Sequence, residues 1–365
     1  MSLLFWFSVA VVAYAYFGYA ILLWLLSRIR RRPILRSFVA RNVSIIIAAR
    51  NEEANLRAKI ENLQQLDYPL EKLQIVIVSD GSTDQTPSIL RDQTSITSII
   101  FDRSHGKASA LNEAVKQATG DILIFQDARQ TIEPEAIYRL VSCFADPLVG
   151  AVSGELILDS SSPDQSLGIY WKIEKIIRKL ESETGSVVGV TGAIYAIRRE
   201  LYSDIPPGTI LDDVFVPMHI ARTGKRIIFE PLAIARDRIF SEKGKEFSRK
   251  VRTLTGNYQL MALAPWLLSP GNPLLFRFVS HKLLRLIVPL LLIIMLVSAG
   301  LSLGTLFRVI FGLQILFYIL SIVGATAPST RKFKPIGVAY TFVMLNAAAA
   351  VAFFNFVIGK KSVWL

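Results

Sequence analysis

Residues 75–84 read IVIVSDGSTD. A run of β-formers that passes straight into an acidic, glycine-containing turn is how a strand buried on both faces reaches a ligand-binding edge. In an open α/β sheet, ligands sit beyond the carboxyl ends of the strands. Asp80 and Asp84 therefore fall at a candidate site. Gly81 allows a sharp turn, and Ser82 or Thr83 can cap a helix beginning near Gln85. An ordinary strand-to-helix turn with a capping Asp is the default for this stretch when it stands alone, and the neighbouring segments decide.

Residues 41–50 (RNVSIIIAAR) predict a buried strand, and NEEANL opens a helix through Leu66 with Leu56, Ile60, Leu63 and Leu66 on one face. Asp67, Tyr68 and Pro69 end it. The helix after SDGSTD runs to about Thr94, and residues 96–101 (ITSIIF) form a third strand. This alternation of strand and helix predicts a parallel sheet. Gly106 and Lys107 precede a helix containing Leu111 and Val115, Gly120 closes it, and residues 122–125 form a fourth strand ending at Asp127. Two strand ends thus deliver aspartates to one sheet edge. Residues 133–144 predict an amphipathic helix and residues 149–158 (VGAVSGELIL) a strand near the far side of the sheet. Residues 164–183 predict a helix with Ile169, Ile173, Ile176, Ile177 and Leu180 on one side and charges elsewhere. A helix from Asp212 to about Thr223 displays Asp212 and Asp213 at its first turn, where the dipole favours carboxylates and one of the pair can cap it. Residues 226–229 are a short strand.

The chain has 365 residues, a formal charge of +12 and one cysteine, with mean hydropathy +0.42. The apolar excess lies at the two ends, which describes a membrane protein with one sizeable soluble domain. Residues 3–26 are apolar and long enough for a hydrocarbon core of about 30 Å. No basic residue precedes them, unlike a secretory signal peptide. Arg28, Arg30, Arg31, Arg32 and Arg36 follow, which predicts an outward N-terminus and a cytoplasmic central domain. Much of the remaining positive charge lies beside apolar runs, at His281, Lys282, Arg285, Arg331, Lys332, Lys334, Lys360 and Lys361. Topology and anionic lipid account for it without nucleic acid. Cys143 reads as core, and no intrachain disulfide can form.

Residues 248–268 predict a helix with Arg249, Lys250 and Arg252 on its first turns and an apolar remainder, suited to the membrane interface. Three apolar runs follow at about 283–303, 306–325 and 336–358. The organisation expected is an N-terminal span (1–27), a basic linker (28–40), a cytoplasmic domain (41–245), an interfacial region (246–280), three spans (281–359) and a tail (360–365). Three crossings from Lys282 place Lys360 and Lys361 outside, against the positive-inside rule. Either the crossing count differs or two lysines are too weak a signal. Arg308, at a predicted loop, is the one charge expected near the membrane interior, and four helices in one chain are few for a pore.

The segments ARNEEANL, SDGSTD, GKASALN, FQDARQ, GAIYAIRR, LDD and RKVRTLTGNYQ occur in this order over residues 43–259. Together they resemble a family 2 glycosyltransferase of the exopolysaccharide and cell-envelope glycan type. The resemblance implies an α/β, type A glycosyltransferase fold with a mostly parallel sheet, flanked by one N-terminal and about three C-terminal transmembrane helices. It implies hexosyl transfer from a nucleotide-diphosphate sugar to a growing polysaccharide or polyprenyl-linked acceptor, with inversion, at a bacterial inner (plasma) membrane. Other envelope-synthesis proteins are further expected partners.

The chemistry needs a nucleoside pocket, charge neutralisation at the diphosphate and a base for the acceptor hydroxyl. By resemblance Glu53 and Asp80 hold the nucleoside and Lys107 meets the diphosphate. Asp127 carries a divalent metal, magnesium or manganese, and Asp213 is the base beside Asp212. Adjacent carboxylates near Asp127 raise one another's pKa, which suits a base. The family's Asp-x-Asp is broken here by Arg129. Either Asp127 keeps the ion with water and phosphate ligands, or Arg129 supplies part of its charge. Arg249, Lys250 and Arg252 match a Gln-Arg-x-Arg-Trp pattern in which Thr253 replaces the tryptophan. Trp171 or Tyr258 is then the candidate stacking platform for the acceptor. His105, His219 and His281 are scattered and read as structural. The competing reading is a catalytically silent nucleotide-sugar-binding homologue that regulates or scaffolds a synthase complex.

Overall fold

Every residue of β1 (Val43–Ala49) is buried. The computed structural model describes residues 1–159, 165–238 and 245–359. It places β1 between β2 (Leu73–Asp80) and β4 (Ile122–Asp127), both parallel to it. Because successive side chains leave a strand on opposite sides, β1 feeds two cores. Ile45, Ile47 and Ala49 meet Leu56, Ile60 and Leu63 of α1 (Glu53–Gln64) and Ile89 of α2 (Thr86–Arg91). Ile46 and Ala48 meet Ala108, Leu111 and Ala114 of α3 (Lys107–Lys116). The first core continues into α4 (Ala136–Ser142) through Ile137 and Leu140. Cys143 is buried there, as expected.

Among the described residues eight strands form one sheet. With β3 (Thr97–Phe101), β5 (Thr131–Ile132), β6 (Val149–Asp159), β7 (Ile194–Arg198) and β8 (Arg226–Arg238), its order is β3-β2-β1-β4-β7-β6-β8-β5. β3, β2, β1 and β4 run parallel, and β6 and β8 pair parallel, while β7 is antiparallel to both β4 and β6. The mostly parallel sheet is therefore as expected. β7 was hidden in a glycine-rich segment too short to show a period, and its insertion puts β6 inside the sheet. The strand expected at 226–229 extends to Arg238 because β6 pairs along its length, across two register shifts.

Four described helices are long and apolar enough to cross a membrane: Ser2–Ile29, Leu275–Leu301, Thr305–Thr326 and Lys334–Val357. The second starts at Leu275, before the expected 283, so Arg277, His281, Lys282 and Arg285 lie within the helix. Arg308 is also helical rather than in a loop. Lys360 and Lys361, which carried the topological tension, lie outside the described residues.

The early charges are accommodated by α5 (Gln165–Thr184). Glu174, Ile177 and Glu181 share one helical face, and all three are buried, whereas Ile173 and Ile176 are exposed. The face of α5 expected to be purely apolar is thus mixed where it docks. His281 lies 2.9 Å from Glu174 Oε1 through Nε2 and 3.0 Å from Glu181 Oε1 through Nδ1. A ring that donates from both nitrogens satisfies both carboxylates. Arg285 donates to Glu174 Oε2 at 2.9 Å, and Tyr19 of the first span donates to Glu181 Oε1 at 2.5 Å. Arg277 donates to the Glu181 and Ser186 carbonyls. This junction ties the soluble domain to two spans.

Removing one partner of a buried ion pair costs about 3–5 kcal/mol, so His281→Leu should lower the melting temperature of the detergent-solubilised protein. Burial raises the carboxyl pKa values of Glu174 and Glu181, but His281, with Arg285 at Glu174 and Tyr19 and Arg277 at Glu181, outweighs it and holds both below the ordinary 4.5. Their stabilisation is then complete above pH 4.5 and lost as pH falls through the depressed values. Melts followed by circular dichroism should show this acid limb in the native chain and a smaller one in His281→Leu. Equal limbs would contradict the role of the junction.

Candidate active site

The parallel strands deliver their carboxylates as expected. Asp80 ends β2 and Asp127 ends β4, on either side of β1. Asp80 is fully buried. Its Oδ1 accepts from His105 N at 2.6 Å, and its Oδ2 accepts from Ser104 Oγ at 2.6 Å and Gly106 N at 3.0 Å. In this structure Asp80 thus serves the loop that launches α3. Gly81 makes this possible: its φ is +60°, and a Cβ there would stand 2.2 Å from Ser104 N.

Lys107 is the first residue of α3. Its Nζ lies 3.0 Å from Asp127 Oδ1 and 3.5 Å from Asp212 Oδ1. Burial pulls its pKa down, but Asp127 and Asp212 outweigh this and hold it above the ordinary lysine value. Asp212 and Asp213 open α6 (Asp212–Arg222), and neither caps it; the residue before the helix is Leu211. A Cβ on Gly192 would lie 3.6 Å from Asp213 Oδ2 and 3.8 Å from Asp127 Oδ2. Strand end and helix start therefore converge on one point. Burial and then Asp212 push the Asp213 carboxyl up to about 6, against the pull of Lys107 and Lys282.

Around this cluster lie groups that sequence reasoning missed. Glu52 faces it: burial raises its pKa, and Arg129 and Asp127 are among its electrostatic neighbours. The neighbouring Glu53, expected in the site, is exposed and accepts from Gln85 N at 2.9 Å. The residue before α2 is Gln85, without a side-chain cap; Asp84 accepts from Thr86 N at 2.9 Å, while Ser82 and Thr83 hydrogen-bond with Asn51. Tyr195 on β7 stacks on Phe125, and its buried hydroxyl finds no partner among the described residues. Lys282, expected only as a topological charge, comes from the second span into electrostatic reach of Asp213. The motif residues around Glu52 and Tyr195 were a usable signal, and Lys282 had none.

Arg129 does not point away free. It forms an ion pair with Asp237 on β8, which also accepts from Gln130 Nε2 at 3.2 Å. Its charge is thus already balanced by a carboxylate. Among the described residues no group of three or more His, Cys, Asp or Glu is arranged to hold a metal. Asp127 engages Lys107 through Oδ1 and directs Oδ2 toward Gly192.

The remaining expected residues lie on α7 (Lys245–Leu263). Arg249 is exposed and Arg252 half-buried on its first turns, while Lys250 Nζ sits 4.7 Å over the Trp171 ring. Tyr258 packs on Phe353 and Phe356 of the last span and donates to Leu286 O, so membrane packing occupies it. The link from α7 to the site is made by Gly256 and Gln259. A Cβ on Gly256 would lie 2.6 Å from Leu211 Cγ, and Gln259 accepts from Ile210 N and donates to Gly208 O, both at 2.9 Å. These contacts fix the segment that precedes Asp212.

Such a sheet, with carboxylates and a lysine at its carboxyl edge, is a type A glycosyltransferase fold. The family model Glycosyl transferase family 2 matches residues 44–206, somewhat under half of the chain. It is 25% identical over 248 residues to the poly-beta-1,6-N-acetyl-D-glucosamine synthase of Staphylococcus aureus strain COL, covering 64% of this chain and 58% of the relative. The corresponding synthase of Staphylococcus epidermidis is 25% identical over 260 residues, covering 65% and 61%. The match thus spans less than two thirds of the length of these relatives. A mannosyltransferase, PcManGT, from Pyrobaculum calidifontis, solved with GDP-Man and Mn2+, superposes with a TM-score of 0.73 at 25% identity over 98% of this chain and all of that one.

Any reaction in which Asp213 accepts a proton should gain rate with pH through about 6. Asp212→Asn removes a neighbouring negative charge and should move that limb to lower pH. Lys107→Met removes a positive one and should move it higher. The pH profile of kcat/KM reads both shifts, and limbs that stay together in all three proteins would exclude Asp213 as their origin.

Proposed function

We propose that this chain is a membrane-bound inverting glycosyltransferase. It moves a sugar from a nucleotide-diphosphate donor to a growing polysaccharide or lipid-linked acceptor of the cell envelope, with its transferase domain on the cytoplasmic face of the plasma membrane. One observation carries the reading: Asp127, Asp212 and Asp213, from distant segments, gather around Lys107 at the open edge of a type A fold. The names of the relatives support the class, a polysaccharide synthase on one side and a mannosyltransferase bound to a nucleotide sugar on the other. The arginines after the first span support the orientation.

Asp213 takes the proton of the acceptor hydroxyl. The freed oxygen bonds to the anomeric carbon as the bond from that carbon to the diphosphate breaks, from the opposite face, so one displacement inverts the centre. Asp212 keeps Asp213 basic. Lys107 offers a cation to the leaving diphosphate, and Asp80 holds the loop that aims it. The nucleoside lies along Glu53 and that loop, and Arg249, Lys250 and Arg252 approach the diphosphate from α7. Asp127 would hold a magnesium or manganese ion together with phosphate and water. A bound ion would offset the charge of the departing diphosphate.

The Arg129–Asp237 pair, standing where the family keeps a carboxylate, favours a second reading, the silent nucleotide-sugar-binding homologue. Release of free nucleoside diphosphate by purified protein separates the two. Across UDP-, GDP- and dTDP-sugars with acceptor lipids, one donor should be turned over with magnesium or manganese and not with chelator. Turnover that survives chelator removes the ion from the account. Donor binding without turnover on any acceptor supports the silent homologue.

A further inference from the structure

Two adjoining cavities, whose linings share no residue with the carboxylate cluster, lie at the end of the first span. One, of about 340 Å³, is lined by Arg31, Arg32, Arg36, Lys179 and Arg226 with Glu183 as its single acid. The other, of about 260 Å³, shares Arg31, Lys179 and Glu183 and adds Trp24, Ser27 and Arg28. Trp24 is five residues before the last residue of the span, so about 7.5 Å from its end at 1.5 Å per residue. That is the depth of the headgroup layer, where tryptophan is enriched.

The charges here are unevenly spent. Arg36 pairs with the buried Glu230. Arg31 reaches Glu183 only at 3.9 Å, with most of its side chain exposed. Arg226 donates to the carbonyls of Arg32, Pro33, Ser182 and Gly185, which ties the linker to α5 and β8 without neutralising it. Among the described residues the Arg32 and Lys179 side chains have no ion-pair or hydrogen-bond partner, and Arg28 has only the Trp24 ring, 5.2 Å away. Three cations therefore surround a walled space at headgroup depth with no matching carboxylate. Scattered surface arginines do not give this; here Arg226 braces the linker so that the wall stands.

We propose that this paired cavity is a binding site for the phosphodiester headgroup of an anionic phospholipid, held by Arg28, Arg32 and Lys179 with Trp24 against the glycerol region. The lipid would brace α5 against the first span, beside the Glu181 and Tyr19 contact. A zwitterionic headgroup binds more weakly here, because its own ammonium meets the same cations while an anionic headgroup brings none.

Native mass spectrometry of the full chain, released from micelles containing phosphatidylglycerol or phosphatidylcholine, tests the site. Phosphatidylglycerol should be retained at least about tenfold more tightly, and the double variant Arg32→Gln/Lys179→Gln should lose that preference, because neither side chain supports the fold. Arg30→Gln, a charge loss outside the cavity, should keep it. Equal retention of both lipids, retention unchanged in the double variant, or equal loss in Arg30→Gln would overturn the proposal. Displacement of the lipid by millimolar inorganic phosphate would assign the cavity to a free anion instead and overturn it as well.

Discussion

One ammonium group lets three carboxylates share a site. Lys107 Nζ stands within 3.5 Å of Asp127 and Asp212, and without it their mutual repulsion would have to be met by solvent or protonation. Its position depends on a chain of supports. Asp80 gathers the backbone of residues 104–106, Gly81 permits the close approach, and the loop delivers Lys107 as the first residue of a helix. The strand end that looked like a ligand contact in the sequence is therefore at least as much a scaffold for the cation beside it.

A second constraint comes from the long apolar helices. The face of the sheet that carries α3 and α6 shares its core with Leu260 and Leu267 and with Phe278 of the second span. Gly256 and Gln259 press α7 against the residues before Asp212, and Tyr258 on the same helix packs on the last span. The acidic start of α6, α7 and the long apolar helices are thus linked by consecutive contacts. Glu174 and Glu181 close the arrangement on the other side through His281. Buried ion pairs of this kind contribute little net stability but are costly to break, so they fix how the domain sits on its spans.

Much of this was legible in the sequence because the parallel strands are continuous β-former runs with turn residues at fixed places. β1, β2 and β4, and hence Asp80 and Asp127, follow from that pattern, as does α6 with its acidic first turn. β7 was not legible: five residues after a glycine-rich stretch give no period, and only pairing on both edges makes them a strand. The docking face of α5 was misjudged because His281 makes two glutamates buriable, a fact that lies a hundred residues away. The early start of the second span was hidden for the same reason, since its charges find partners only in the folded chain. Arg129 could be read as a departure from the family's pattern, but not its pairing with Asp237.

Asp213 stands at the centre of the account, and the split between donor binding and turnover in Asp213→Asn tests it most directly. With the donor in hand, the account predicts that this variant binds it with an unchanged Kd while kcat falls about 10²–10⁴-fold, the usual contribution of a general base. Transfer at the native rate, or donor affinity lost in parallel with turnover, would contradict it.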